Sequence, residues 1–237
     1  MTGTVAIHQP NFFPWLGYFD KICRADIFIL LDDVQYQKTG GAWSNRVKVL
    51  VNGEGRWLTA PIERAFHGTR TLRQINFMVN ENWRVKVLKT LQTAYGRTPH
   101  YKETLNLLEP LILHKAENLA EFNIHGIISL AGALGLVTTN FVRSSLIPTE
   151  GVATRRLIEL TQHVEGTQYM CGGGAGGYQE DAEFINARIE LVYQNFVSPE
   201  YKQHGSNEFV TGLSIIDALM NLGVEGVAHL LRERACV

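Results

Sequence analysis

The sequence predicts an α/β fold of the Rossmann-like kind: a mostly parallel sheet with flanking helices, a β-hairpin insertion and a helical middle segment. Three observations predict it. Short β-prone runs alternate with helix-length segments at both ends of the chain. Ile27-Phe-Ile-Leu-Leu31 shows no polar alternation, as expected of a strand buried on both faces. Strand, helix and strand follow one another before Asp32, which reads as a βαβ unit with a right-handed crossover.

Thr4 to Ile7 is the first strand and stops at His8-Gln9-Pro10. Leu16 to Arg24 is helical, because Leu16, Phe19, Ile22 and Cys23 share a face. The second strand ends in Asp32-Asp33. Val47 to Val51 and Trp57 to Pro61 flank Asn52-Gly-Glu-Gly55, a hairpin with turn chemistry. Leu72 to Phe77 suits one more strand. Trp83 to Tyr95 is amphipathic, Pro110 breaks or starts a helix, and Asn118-Leu-Ala-Glu121 resembles a capping box opening a helix that Gly135 closes. Thr138 to Val142 is strand-like, and Thr154 caps the helix after it. Thr167 to Cys171 leads as a strand into Gly172-Gly-Gly-Ala-Gly-Gly177, Tyr178 to Asn186 is helical, and Ile189 to Tyr193 is a strand. Ser214 caps a last helix, with Asp217 at its third position and Gly223 at its end.

The 237 residues suit a single α/β domain over 1–237 with a helical lobe around 81–135. A hydrophobic share of 45% and a charged share of 19% support a sizeable core. The formal net charge of −1 gives no sign of a broad nucleic-acid surface, so an aminoacyl-tRNA partner draws no support from charge. Cys23, Cys171 and Cys236 are too few and too odd in number for a disulfide framework, and no ligand spacing suggests a metal. With no signal peptide and no apolar run long enough to span a bilayer, a cytoplasmic protein is expected.

In an open parallel sheet, ligands bind beyond the carboxyl ends of the strands. His8, Asp32, Asp33 and Cys171 sit at such ends, and Ser144-Ser145 follow the strand from Thr138. His8 suits a general base, although a lone histidine also serves loop hydrogen bonding. Asp32 and Asp33 would orient it, bind a metal or hold sugar hydroxyls, or form only a solvated turn. Gly172, Gly174 and Gly177 match GxGxxG, but in so glycine-rich a run the match is nearly automatic, and Glu180 and Asp181 would oppose a phosphate. A loop closing over ligand is the preferred reading of Gly172 and its neighbours. Cys171 is the one cysteine placed for nucleophilic chemistry; the competing reading is a small buried residue. Trp15, Tyr18, Tyr36 and Trp43 gather near Gln9, Asn11, Asn45 and Arg46. Rings interleaved with amides suit a sugar or nucleotide, and Arg46 suits an anionic group on it; core packing and a surface ion pair are the plainer alternatives. No cofactor can be named from these residues.

The string from His8-Gln-Pro-Asn-Phe-Phe-Pro-Trp-Leu-Gly-Tyr-Phe-Asp-Lys to Ile22 resembles the opening of WbqC-like proteins. Ala25-Asp26, Leu31 to Tyr36, Trp43-Ser-Asn-Arg46, Trp57 to Pro61, Tyr169 to Gly172, Tyr201-Lys-Gln203, Leu213 to Asp217 and Asn221-Leu-Gly223 continue it over nearly the whole chain. The resemblance implies a link to bacterial O-antigen and lipopolysaccharide biosynthesis, with attachment of glycine or a related acyl group to an amino sugar. It brings no settled catalytic residues, and Cys171-Gly172 stands where the family often has Ser-Gly. A fainter similarity of the opening βαβ to nucleotidylyl-transferase folds, with Gly17-Tyr18 where those have Gly-His, implies an ATP-dependent ligase. The expected function is therefore an acyl or aminoacyl transferase, or an amide-forming ligase, acting on an amino sugar, a nucleotide sugar or a similar amine. A non-catalytic glycan-binding or nucleotide-sugar-binding module is the alternative.

Overall fold

The computed structural model describes residues 3–37, 43–79, 82–172 and 181–235. Five parallel strands form one sheet: β1 (Thr4–His8), β2 (Ile27–Leu30), β5 (Asn140–Arg143), β6 (Gln168–Cys171) and β7 (Glu190–Tyr193), in the order β5-β2-β1-β6-β7. The chain steps outward from β1 to β5, then returns to lay β6 against the other side of β1. β1 and β6 therefore flank the topological switch point, where the connections at their carboxyl ends diverge and leave a crevice.

Alternation along the strands builds a core on each face of the sheet. Ala6, Phe28, Leu30 and Met170 face α1 (Leu16–Cys23) and α7 (Ile215–Ala235). Val5, Ile7, Ile29, Tyr169 and Cys171 face Ile158 and Leu160 of α5 (Ala153–His163) and Phe184 of α6 (Asp181–Asn186). The first core continues without a break into the hairpin of β3 (Arg46–Val51) and β4 (Glu54–Thr59), and into α2 (Trp83–Tyr95), α3 (Tyr101–Ile112) and α4 (Leu119–Ala133). Among the described residues no helix is long and apolar enough to cross a membrane.

Four local expectations are corrected. Leu72 to Phe77 is not a strand: Thr71 and Gln74 form a capping box around a 3-10 turn, Leu72–Gln74, leaving only isolated bridges such as Ile62 to Phe77. Pro110 lies inside α3, near its end, where both it and Asn106, the residue whose carbonyl loses a donor, are exposed. Thr154 is buried within the first turn of α5, and Val152 holds the cap position without a side-chain bond. Gly223 ends one helical piece of α7 but a second follows across a kink. Its φ of 72° and the close approach of His100, whose Nδ1 would lie 2.5 Å from any added Cβ, admit only glycine there. Asn118 behaves as expected, its Oδ1 accepting from the Ala120 and Glu121 amides.

Candidate functional site

The carboxyl end of β1 carries His8, half-buried, at the switch point between β1 and β6. Its ring meets Tyr18 edge-on at 4.8 Å and Trp15 at 5.6 Å between centroids. Tyr18 comes from α1, whose first turn lies close enough for its hydroxyl to donate to the Gln9 carbonyl at 3.0 Å. His8 Nδ1 lies 3.1 Å from the same carbonyl. A carbonyl oxygen only accepts, so Nδ1 carries the ring proton and Nε2 presents its lone pair. Among the described residues Nε2 has no hydrogen-bond partner. Burial and the charge of Lys21 hold the imidazole down at about 4, against the Gln9 bond that raises it. The ring is therefore neutral at physiological pH.

Lys21 escaped the reading of the sequence. Only 3% exposed, it donates to the Ile7 carbonyl at 3.3 Å and has no carboxylate partner among the described residues. Burial brings its ammonium down to about 8. A signal was available: Tyr18, Lys21 and Ile22 lie at helical spacing, so a cation shares the buried face of α1. Gly17 on that helix is also constrained, since a Cβ would come 2.6 Å from Phe196 Cδ1 and 2.9 Å from Trp15 Nε1.

Asp32 and Asp33 engage the neighbouring strand ends. Asp32 is fully buried and accepts from the Ser145 amide at 3.0 Å, the Ser145 hydroxyl at 2.9 Å and the Ser144 hydroxyl at 3.2 Å, with Arg73 at 3.8 Å. Asp33 takes the Ser144 hydroxyl at 2.6 Å and the Arg156 guanidinium at 2.6 Å. This clamp ties the end of β2 to the end of β5. The two carboxylates thus share Ser144, while the hydrogen bond made by His8 goes to Gln9.

Cys171 lies where the small-buried-residue reading would have it. It is 1% exposed within the apolar cluster of Val5, Ile7 and Phe184, and its Sγ donates to the Val192 carbonyl at 3.7 Å. A thiol enclosed in this way is poorly reached by an acyl donor. Gly172 is the last described residue of that segment. The glycine run from Gly173 to Gly177, with the GxGxxG positions Gly174 and Gly177, lies outside the described residues.

The remaining candidates divide between scaffold and surface. Tyr36 and Asn45 are scaffold: the Tyr36 hydroxyl donates to Asn45 Oδ1 at 3.0 Å, and Asn45 Nδ2 to the Ala60 carbonyl at 2.9 Å. Asn11 is buried in the loop after His8. Asn123 of α4 pins that loop by donating to the Pro10 carbonyl and the Ser44 carbonyl, which brings Trp43 towards Trp15. Trp15, Trp43 and Trp57 then run in sequence, with centroids 5.7 and 5.2 Å apart. Arg46 lies over the Trp57 ring at 4.4 Å and Lys48 at 5.4 Å. His8, Trp15, Tyr18 and Trp43 are therefore brought together, and Arg46 joins them through Trp57. Among the described residues no group of three or more His, Cys, Asp or Glu could hold a metal ion.

The later motifs of the chain form a buried network. Tyr201 and Gln203 donate to Asp217 Oδ2 at 2.7 and 3.0 Å, Asn221 Nδ2 donates to the Asp217 carbonyl, and Asn221 Oδ1 accepts from the His204 amide. These residues hold α7 to the preceding loop, which accounts for them structurally.

The family model described as the WbqC-like protein family matches residues 9–229. The chain is 29% identical over 228 residues to "Uncharacterized protein Rv1507c" of Mycobacterium tuberculosis, covering 95% of this chain and 96% of that one. No solved structure gives a significant match.

Proposed function

Since the chain belongs to the WbqC-like protein family, and its first strand ends in a neutral imidazole, we propose that it forms an amide bond on an amino sugar or similar amine in polysaccharide biosynthesis. The observation that carries this reading is His8 itself. Its tautomer is set by Gln9, its charge is suppressed by burial and Lys21, and its Nε2 lone pair has no partner among the described residues. In the reaction, the amine nitrogen attacks the acyl carbonyl and the C–N bond forms. The bond from the acyl carbon to the donor's leaving atom breaks, and the leaving group departs with its electron pair. One N–H proton must leave.

An imidazole held at about 4 is too weak a base to strip a resting ammonium. The amine therefore arrives neutral, and His8 takes the N–H proton after attack, when the nitrogen bears positive charge and is more acidic than the resting ammonium. Such assistance is worth ~10²–10⁴-fold in rate. Asp32 and Asp33, engaged with Ser144 and Ser145, position the rim beside the crevice. The route through Cys171 is set aside.

Mass spectrometry of products after incubation with pools of acyl donors and amino sugars, aminoacyl-tRNA included among the donors, tests this. An acylated amino sugar that is formed by the wild type and lost in His8→Ala, with folding retained, is the expected result. No product from any pairing, together with stabilisation by a glycan alone, would instead favour a binding module, for which the Trp15–Trp43–Trp57 strip is the relevant surface.

A further inference from the structure

A second cavity lies beyond the aromatic strip, between β4 and α2. Its volume is about 420 Å³, and its walls include Trp57, Thr59, Pro61, Trp83, Lys86 and Thr90. That is large enough for a small-molecule ligand. Among the described residues no carboxylate belongs to its lining.

Two features at its rim call for one kind of ligand. Trp57 is 43% exposed on the outer face of the hairpin, directly across from Lys48, and presents ring surface to solvent. Arg46 and Lys48 gather over that ring; among the described residues neither has a carboxylate partner, and Arg46 Nε is buried without a hydrogen bond.

The complementary molecule has a flat ring for Trp57 and at least two negative charges for Arg46 and Lys48. A neutral oligosaccharide lacks the charge, and a bare anion lacks the ring. We propose that this cavity and the cationic strip beside it bind a nucleoside diphosphate, so that the amino sugar arrives in its nucleotide-linked form. The ring contacts Trp57–Trp43–Trp15–His8 connect this cavity to the imidazole, which places a sugar attached to the diphosphate on the path to the base. The identity of the sugar rests on the amide-forming reading; nucleotide binding does not.

The test is titration of the intact protein with UDP, uridine and inorganic pyrophosphate, read by tryptophan fluorescence and calorimetry. UDP is expected to bind saturably, with uridine and pyrophosphate each weaker by about tenfold or more. Trp57→Ala and Lys48→Ala should each weaken UDP by about tenfold, Trp57→Phe should restore most of the affinity, and His8→Ala should leave it unchanged. Absence of saturable UDP binding overturns the proposal. So does full affinity in both the Trp57→Ala and Lys48→Ala variants, or pyrophosphate binding as tightly as UDP. UDP binding without any amide product leaves this inference standing and removes the catalytic reading. Acylation of a free amino sugar by a protein that ignores UDP does the reverse.

Discussion

Lys21→Met is the sharpest probe of the ground beneath the crevice. The Lys21 ammonium is buried with one carbonyl partner, and its titration is brought down from 10.5 to about 8. A base whose folded value is depressed binds fewer protons folded than unfolded between those limits. Its contribution to stability is then fully present above 10.5 and is lost as pH falls through about 8. The depression corresponds to about 3 kcal/mol. Methionine has similar reach, carries no charge and does not titrate. Losing the bond to the Ile7 carbonyl offsets about 1 kcal/mol. At pH 7 the variant should therefore be the more stable protein, by about 2 kcal/mol. Urea unfolding of both proteins across pH 7–10.5 is the assay, and the difference between them should shift by about 3 kcal/mol over that range. A difference that does not change with pH would show that Lys21 titrates normally when folded, and the account of the buried cation would fall. The same substitution should raise the His8 value from about 4, because the Lys21 charge is one of the two causes holding it down. Titration of the imidazole by NMR reads that directly.

Further outcomes follow from the same geometry. His8 is a base depressed from 6.5 to about 4, so the wild type should lose stability as pH falls through that window, and His8→Ala should lack this component in acid-unfolding curves. Asp32→Ala removes a buried carboxylate from three donors and Arg73; urea unfolding should show a loss of about 3–5 kcal/mol, and a loss below about 1 kcal/mol would contradict the clamp between β2 and β5. Burial raises the Asp217 carboxyl above its usual range against the hydrogen bonds of Tyr201, Tyr95 and Gln203, so its stabilising contribution is present at low pH and declines as pH rises through the folded value. Asp217→Asn should accordingly gain on the wild type in melting temperature as pH increases, and a constant gap would refute it.

The elements of this fold are legible in the chain because local patterns determine them. The apolar run at Ile27, the turn chemistry at Asn52-Gly53 and the cap at Asn118 each depend on neighbours close in sequence, and each appears where those neighbours place it. The placement of His8 at a strand end is legible for the same reason. The sequence is least informative where a distant group decides the outcome. Leu72 to Phe77 has strand composition, but its backbone lies beside Asn118 and bonds there only at isolated bridges. Cys171 sits at a strand end like His8, yet the pleat turns the two in opposite directions, one against Tyr18 and Trp15 and the other into the core under α5 and α6. The carboxylates of Asp32 and Asp33 look free in sequence because Ser144, Ser145 and Arg156 lie more than a hundred residues away. Residue types and strand ends determine which groups can do chemistry. Only tertiary packing decides which lone pair faces solvent, which charge is suppressed and which ring stays uncovered, because those depend on burial and on partners that the chain brings in from elsewhere.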